Sequence, residues 1–530
     1  MSSTFKFHSQ VPDVVPWQAQ YQFPSQANKV RKQTVKLPPK NGYTFTQPNQ
    51  VIRIEFPADN YCNMLNSLLV FNANITIPAS NSTGTYLTLQ RGGGHNFFTR
   101  LRVLYGSLVI EDIQEYKTLV RMINEVAVPR DYGNSSGTIL DGMSASRLNE
   151  IALDTLTADG GAGAGVNPNG NILSGNTNGT TGATVTSIQK IVETSDQIGQ
   201  IGGPLTSGAG IAATTFTDGA SATYTKTFAI NLLSGLLTCK KLIPLKWMAS
   251  QLVIELTLQD VSQIFISDLV QGAGPTPLLP TYSLDTVNFI AEMLEFDSTY
   301  DLAFFQGLSQ DAGVPIKFTS WHYHQFSLTS SQAIYQVHER SRSVKSAYAI
   351  IRQSAPSLVV DSDIFFHNLN DDVATTPGKI AARTTTCPVS LFQWRIGGQY
   401  YPAQPVICTY GAPEAYVELM KAIDSLGDYT VSSSINSRNF TINYTSAKNG
   451  EGAKFVMGAS FETIPIGQLE INGINAEEQS DLALTISCGS NAGGVSSYTN
   501  GTNQGKKLEV FVNYDTMLII RKGNVVDLIL

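Results

Sequence analysis

The chain has 530 residues, of which 42% are hydrophobic and only 15% are charged, and its formal net charge is −7. This length exceeds what one ordinary hydrophobic core supports and favours two domains, while the mild acidity is unlike the basic face of a dedicated nucleic-acid-binding protein. The five cysteines form no CxxC pair, which argues against a disulfide framework or a zinc site and favours a reducing compartment: Cys62, Cys239, Cys387, Cys408 and Cys488.

The N-terminal segment is rich in Pro and Gln and has no hydrophobic periodicity, so the sequence predicts an extended arm over residues 1–49. Residues 1–50 carry six Lys or Arg side chains against Asp13 alone, a net charge of +5 that leaves −12 for the rest of the chain. Such an arm suits contact with an acidic partner, a membrane or nucleic acid, and it suits a solvated tail equally well. Neither a secretory signal nor a membrane span is predicted, because no apolar run of the required length occurs.

From residue 50 onward the dominant signal is an alternation of period two, which predicts β-strands with one face in a core. Apolar side chains alternate with others in four clear segments: Ile52–Phe56, Leu69–Ile77, Leu252–Leu258 and Leu508–Tyr514. Many such strands with Gly, Asn and Pro between them favour an all-β sandwich architecture.

Two short helices are predicted from apolar residues at positions i, i+3, i+4 and i+7. One runs from Tyr116 to Ile123, and the other, with the same spacing, runs from Tyr416 to Ile423, 300 residues later. A second pair of similar segments, Leu256–Leu258 and Leu484–Ile486, is 228 residues apart. The two offsets agree if the first half holds about 72 additional residues, which a Gly/Thr/Asn-rich stretch near 155–225 supplies.

The sequence therefore predicts one β fold used twice. We expect the first copy over residues 50–297, with a long inserted loop at about 155–225, and the second copy over residues 313–530. Residues 298–312 are expected to link the copies.

The strongest candidate for chemistry is the pair His322 and His324, whose side chains would lie on one face of a predicted strand. A His-x-His pair on such a strand is how a cupin-type metal site begins, because both imidazoles can reach one ion. The cupin pattern also needs a nearby carboxylate and a later histidine, whereas His338 and Glu339 follow at a spacing that fits poorly. We interpret the pair as two ordinary strand histidines and predict no metal ligand.

The remaining motifs form no catalytic constellation. Gly92–His95 lacks the P-loop pattern and is better explained as a turn before a strand. Asp361 and Asp363 are an acidic pair in a predicted loop, and Cys387 and Cys408 have no neighbouring histidine to activate them. We expect no catalytic residue, no cofactor and no enzymatic activity. Short basic clusters suit ion pairs or solvated faces more than nucleic acid: residues 240–241, 340–345 and 506–507.

Several blocks, in order along the chain, resemble the double jelly-roll major capsid proteins of tailless phages, adenoviruses, virophages, polinton-like viruses and nucleocytoplasmic large DNA viruses. The similarity is greatest to the virophage, polinton-like and large-DNA-virus branches. The blocks are a turn, two strands and a helix, then a turn with Ile-Pro-Leu before a strand, then the early, middle and closing segments of the second copy: residues 92–124, 234–258, 341–352, 392–424 and 510–530.

The resemblance implies two tandem eight-stranded jelly rolls with a few short helices. It implies a homotrimer of pseudo-hexameric outline that tiles the facets of an icosahedral shell, beside penton and minor capsid proteins. The arm would face the interior, against minor proteins or an internal membrane, and no sequence-specific binding of nucleic acid is expected. The chain would be part of the virion, made and assembled in the host cytoplasm or nucleus.

Two other functions are compatible with the residues. A two-cupin metalloenzyme would use His322 and His324 as metal ligands. A glycan-binding spike protein would also be built from β-sandwiches.

Overall fold

A computed structural model gives the architecture of the chain. It describes residues 30–77, 82–83, 87–89, 92–128, 132, 136–142, 222–267, 270–271, 280–308, 313–328, 332–353, 389–408, 412–424, 435, 440, 454–462, 472–477, 482–488, 506–521 and 525–529.

The first half contains strands β1 to β13 and two helices. In chain order they are β1 (Val30–Leu37), β2 (Thr44–Phe45), β3 (Val51–Glu55), β4 (Tyr61–Ile77), β5 (Ser82–Thr83), β6 (Leu87–Leu89), β7 (Phe98–Tyr105), β8 (Leu108–Gln114), α1 (Tyr116–Val126), α2 (Ser136–Leu140), β9 (Ala222–Ile230), β10 (Leu252–Leu258), β11 (Phe265–Ser267), β12 (Val270–Gln271) and β13 (Thr281–Phe296).

The second half begins after a helix. Its elements are α3 (Ser298–Leu308), β14 (Val314–Ser327), β15 (Gln332–Val337), β16 (Val344–Gln353), β17 (Val389–Ile396), β18 (Gln399–Ile407), α4 (Pro413–Ala422), β19 (Met457–Ser460), β20 (Leu482–Cys488), β21 (Lys506–Arg521) and β22 (Val525–Ile529).

Eight strands of each half form two antiparallel sheets, and the short strands β2 and β22 add to β13 and β21, respectively. In the first half, sheet A1 has the order β1-β13-β4-β9 and sheet B1 has the order β3-β10-β7-β8. In the second half, sheet A2 has the order β14-β21-β16-β19 and sheet B2 has the order β15-β20-β17-β18. These eight strands can be numbered one to eight along each half. In both halves, one sheet then has the order first, eighth, third and sixth, and the other has the order second, seventh, fourth and fifth.

This strand order is that of the jelly roll, an eight-stranded double-sheet sandwich. The prediction of an all-β chain with two tandem jelly rolls is thus confirmed by the topology of the chain itself. The alternating segments lie where the period-two pattern predicts, and their inward side chains, such as Ile52, Ile254 and Leu256, are fully buried.

Within the segment predicted as an N-terminal arm, Val30–Leu37 forms β1, which pairs with β13 along its whole length from Val30↔Phe296 to Leu37↔Phe289. The period-two pattern does not reveal this strand, because it lies at the sheet edge and Leu37 is its one buried residue. Its stability comes from the backbone ladder, which needs no apolar pattern. Residues 1–29 lie outside the described residues.

The segment expected as a linker is mostly the helix α3. Phe304 of this helix packs edge-on against Tyr61, with ring centroids 5.7 Å apart, and Asp301 accepts a hydrogen bond from the Tyr61 hydroxyl at 3.0 Å. The connection between the jelly rolls is therefore anchored to the first of them. The expected insert near 155–225 lies outside the described residues, apart from the start of β9.

The two predicted helices are present as α1 and α4, and each follows the fifth strand of its jelly roll. Their N-cap residues, Glu115 and Ala412, share the left-handed conformation, with φ of 48° and 50°. The seventh strands β10 and β20 likewise occupy equivalent places, as the similarity between Leu256–Leu258 and Leu484–Ile486 predicted. No helix in the described part of the chain is long and apolar enough to cross a membrane.

Candidate functional site

The histidine pair is the strongest candidate for chemistry that the sequence offers. His322 and His324 lie on β14 and face the same side, and both reach the carboxylate of Glu339, at 3.0 Å from His322 Nδ1 and 3.4 Å from His324 Nε2. Glu339 reaches both histidines because the chain after β15 returns over β14. No signal in the linear spacing reveals such a return.

Glu339 is held by several hydrogen bonds besides those to the histidines. Its Oε1 atom also accepts hydrogen bonds from the backbone N–H groups of Arg340 and Ser341, both at 3.0 Å, and from the Ser341 hydroxyl at 2.5 Å. Burial opposes ionisation, but the hydrogen bonds from both histidines and from Ser341 outweigh it and lower the pKa of Glu339 well below its ordinary value. Among the described residues, no group of three or more His, Cys, Asp or Glu side chains is arranged to hold a metal ion.

The other sequence candidates are placed as follows. Gly93–Phe97 is a short 3₁₀ helix that leads into β7, and its His95 is buried, with Nδ1 3.1 Å from the Tyr116 hydroxyl. Burial lowers the pKa of His95 to about 4. Cys408 is a buried thiol. The pair Asp361 and Asp363, together with Cys387, lies outside the described residues.

The predicted ion pairs in the basic clusters are confirmed for three side chains. Lys345 pairs with Glu462 at 2.9 Å, Arg342 with Glu477 at 2.8 Å, and Lys507 with Glu509 at 2.8 Å.

The most unusual chemistry lies where the two jelly rolls meet. Strand β21 is buried on both faces: Val510 and Val512 face the core of the second jelly roll, whereas Glu509, fully buried, lies on the opposite face of sheet A2. On this outer face Arg352 of β16 forms an ion pair with Glu509, with 2.7 Å between Nε and Oε2. A strand so buried on both sides must have a partner layer on its outer face.

The partner is the helix α1 of the first jelly roll. Arg352 Nη1 donates a hydrogen bond to the Thr118 hydroxyl of α1 at 2.7 Å, and its Nη2 lies 3.9 Å from the carboxylate of Glu115. Farther along the same helix, Glu125 pairs with Lys454 of the second jelly roll at 2.6 Å, and both side chains are only 6% exposed. The helix thus supplies carboxylates, and the second jelly roll supplies the cations.

A third contact joins β8 to β14. Glu111 of β8 is almost fully buried, and its carboxylate accepts hydrogen bonds from the Ser234 hydroxyl and from the backbone N–H groups of Gly235 and Leu236, the latter two at 2.9 and 3.0 Å. Burial is the main influence on this carboxyl and raises its pKa. The loop so held lies against β14, where a Cβ atom on Gly235 would come within 1.7 Å of the Thr319 carbonyl oxygen.

These contacts lock the jelly rolls together. A buried charge that loses its partner costs several kcal/mol, so the matched pairs at the junction permit only orientations in which they meet. Sequence reasoning missed this junction, because its residues are far apart along the chain, as with Thr118 and Arg352.

The solved structures that match this chain include viral major capsid proteins. No family model and no curated protein matches the sequence. Among solved structures, the mavirus major capsid protein has 10% identity and a TM-score of 0.49, covering 100% of this chain and 95% of its own. The Faustovirus major capsid protein has 10% identity and a TM-score of 0.48, covering 94% and 92%. A chain of the Sputnik virophage structure has 10% identity and a TM-score of 0.44, covering 98% and 92%.

Each of these three alignments spans at least 92% of both chains. The assignment as a double jelly roll depends on the strand order of the chain itself.

Proposed function

We propose that this chain is the major capsid protein of an icosahedral DNA virus, and that three copies form a tile with a pseudo-hexagonal outline. The observation that supports the proposal is the pair of jelly rolls with identical strand order, fixed side by side by a buried junction. Since one chain supplies two similar units, three chains supply the six units of a hexagonal tile.

The energetics of the junction agree with a role as the building block of a shell. Burying Arg352, Lys454 and their partners adds little net stability over apolar packing. Such pairs instead specify one relative orientation, and a tile that must fit its neighbours repeatedly needs one orientation. Assembly would then come from modest contacts repeated over a closed shell.

The finer parts of the proposal concern partners and place. The tiles would meet one another and separate penton and minor capsid proteins in the virion, after assembly in the host cytoplasm or nucleus. The basic N-terminal residues would face an internal membrane or another acidic partner.

The mass of the purified chain tests the proposal. Light scattering is expected to give about 170 kDa, three times the 57.3 kDa chain, and negative-stain images are expected to show hexagonal outlines. A monomer at every concentration contradicts the proposal. Metal analysis addresses the enzyme alternative: stoichiometric iron, manganese or zinc that disappears in His322→Ala would favour a two-cupin enzyme instead.

A further inference from the structure

The end of the first jelly roll at which α3 begins exposes several large apolar side chains. On α3, Tyr300, Leu302 and Phe305 are 42%, 60% and 44% exposed. Leu302 and Phe305 are neighbours on the helix surface, because they are three residues apart. Trp247 is half-buried beside them, and its ring centroid lies 5.8 Å from that of Phe305. These four side chains form one surface, which we call the α3 patch.

Strand β1 brings the N-terminal part of the chain to the same end. It pairs antiparallel with β13, and its first residue, Val30, lies opposite Phe296. Phe296 stacks on Tyr300, with ring centroids 4.3 Å apart. In an antiparallel pair, the chain before one strand and the chain after the other leave the sheet at the same end. The residues before Val30 therefore enter β1 next to the start of α3.

The chain before β1 carries apolar side chains within reach of the patch. Trp17, Tyr21 and Phe23 lie within one stretch of seven residues. Phe23 is seven residues before Val30, a separation that spans roughly 23 Å of extended chain. Helix α3 has 11 residues and is therefore about 16 Å long. Phe23 can thus reach any point along the helix while β1 stays in its sheet.

Charge favours the same placement. Near the end of the ladder between β1 and β13, Arg31 lies 3.7 Å from Glu295. The residue before Val30 is Lys29, and the residue after Phe296 is Asp297, which is exposed. Opposite charges thus continue past the end of the ladder, and they would hold the incoming chain beside the first turn of α3.

The size of the patch suits a tethered segment better than a separate protein. Its exposed apolar area is roughly 300 Å², since an aromatic side chain presents about 150–250 Å² when fully exposed. A stable interface between two proteins buries about 800 Å² on each partner. A segment of the same chain needs a smaller contact, because the tether gives it an effective concentration of the order of mM.

We propose that residues 17–23 pack against the α3 patch of the same chain, with Tyr21 and Phe23 against Leu302 and Phe305. Removal of apolar surface from water drives the contact. The segment covers the apolar end of the first jelly roll and holds the helix that joins the two jelly rolls. The inference goes beyond the proposed function and does not depend on the oligomeric state of the chain.

Limited digestion of the full-length chain with chymotrypsin, which cleaves after aromatic residues, tests the proposal. Leu302→Ser is expected to make cleavage after Tyr21 and Phe23 about 10-fold faster, because the bound segment loses the burial of one Leu side chain. The matched control Ile334→Ser removes a similar side chain, 64% exposed, from β15 of the second jelly roll and is expected to leave the rate unchanged. Both variants should keep the far-UV circular dichroism spectrum of the wild type.

A disulfide trap distinguishes the segment of the same chain from that of a second copy. Gln22→Cys with Gln306→Cys places one thiol between Tyr21 and Phe23 and another on the exposed side of α3. Oxidised glutathione is expected to join the two thiols within one chain. In a mixture of ¹⁵N-labelled and unlabelled chains, mass spectrometry of the linked peptides identifies the chain of each half. Ile334→Cys in place of Gln306→Cys is the control that should form no such link.

The outcomes separate this inference from the proposed function. Equal cleavage rates in Leu302→Ser and Ile334→Ser overturn the inference, and so does a disulfide that joins labelled to unlabelled chains. Binding to phosphatidylcholine and phosphatidylserine vesicles that Leu302→Ser abolishes, with an unchanged cleavage rate, would assign the patch to a lipid surface instead. None of these results contradicts the proposed function, whereas a wild type that is monomeric at every concentration contradicts the proposed function alone.

Discussion

Glu339 shows how this fold accommodates a single buried charge. Its carboxylate is 1% exposed, and it is surrounded by donors from two histidines, two backbone N–H groups and one hydroxyl. Because hydrogen bonds to a charged group contribute about 1.5–3 kcal/mol each, the ionised form is stabilised despite burial.

Replacing this carboxylate should be costly. Glu339→Gln is expected to lower the free energy of unfolding by about 2–4 kcal/mol in denaturant titrations. The amide NH₂ group of Gln would face hydrogen-bond donors and cannot accept their hydrogen bonds. The control Glu477→Gln, in a pair 48% exposed on the Glu477 side, should change it by less than about 1 kcal/mol. The folded pKa of Glu339 is depressed, so its contribution is present above the ordinary pKa of Glu and is lost as the pH falls below it. Equal effects of the two variants would contradict this account.

His95 should make stability depend on pH in a different window. Its folded pKa of about 4 lies below its ordinary value of 6.5, so below pH 6.5 the unfolded chain binds the extra proton and folding weakens until about pH 4. Between pH 7.5 and 5 we expect a loss of about 2 kcal/mol from this group. His95→Gln should remove that component of the slope, and chemical denaturation at several pH values measures the difference between this variant and the wild type.

At the scale of elements, helix α1 links the two jelly rolls through charge. Its Glu125 and the Lys454 amine form a pair that water barely reaches. Such a pair is weak evidence of net stability but is very sensitive to the loss of one partner.

The pair can be dissected by a double-mutant cycle. Lys454→Met is expected to cost about 3–5 kcal/mol, because it leaves a buried carboxylate without its cation, and adding Glu125→Gln should recover part of the loss. The surface variant Arg342→Ala should cost less than about 1 kcal/mol. A double variant worse than the sum of the single variants would argue against an uncompensated charge as the cause.

The loop at Gly235 provides a steric test of the same junction. Gly235→Ala places a Cβ atom 1.7 Å from the Thr319 carbonyl oxygen, so the jelly rolls must separate or the loop must shift. We expect a loss of at least about 3 kcal/mol in thermal or chemical unfolding. Gly307→Ala in α3, where the nearest atom is 3.8 Å away, should be neutral or stabilising by up to about 1 kcal/mol.

At the scale of the whole molecule, the two jelly rolls are one structural unit. On the outer face of sheet A2, Glu509 and Arg352 have almost no exposure, and Arg352 donates a hydrogen bond to Thr118 of α1. Separating the halves would expose this face and leave its charges without their partners across the junction.

Calorimetry should therefore record one cooperative transition for both jelly rolls, not two. Lys454→Met is expected to broaden or split that transition, because it weakens the junction more than either core, whereas Arg342→Ala should leave a single peak. Two resolved peaks in the wild type would show that the halves unfold independently.

The sequence predicted the elements whose burial is a local property. Alternation identified the inward residues of strands such as β3 and β10, and matched segments identified the equivalent strands β10 and β20. It failed for β1, an edge strand held by its backbone, and for Glu339, which reaches His322 only through a return of the chain after β15.

The sequence by itself determined that this chain is an all-β fold used twice, because the pleat places alternate side chains in a core wherever the strand lies. Only the tertiary structure decided which outer sheet faces are buried against the other jelly roll, which charged side chains form pairs, and which strands lie at sheet edges. The neighbours of Arg352 along the chain do not predict its burial, because Arg352 contacts a helix of the other jelly roll.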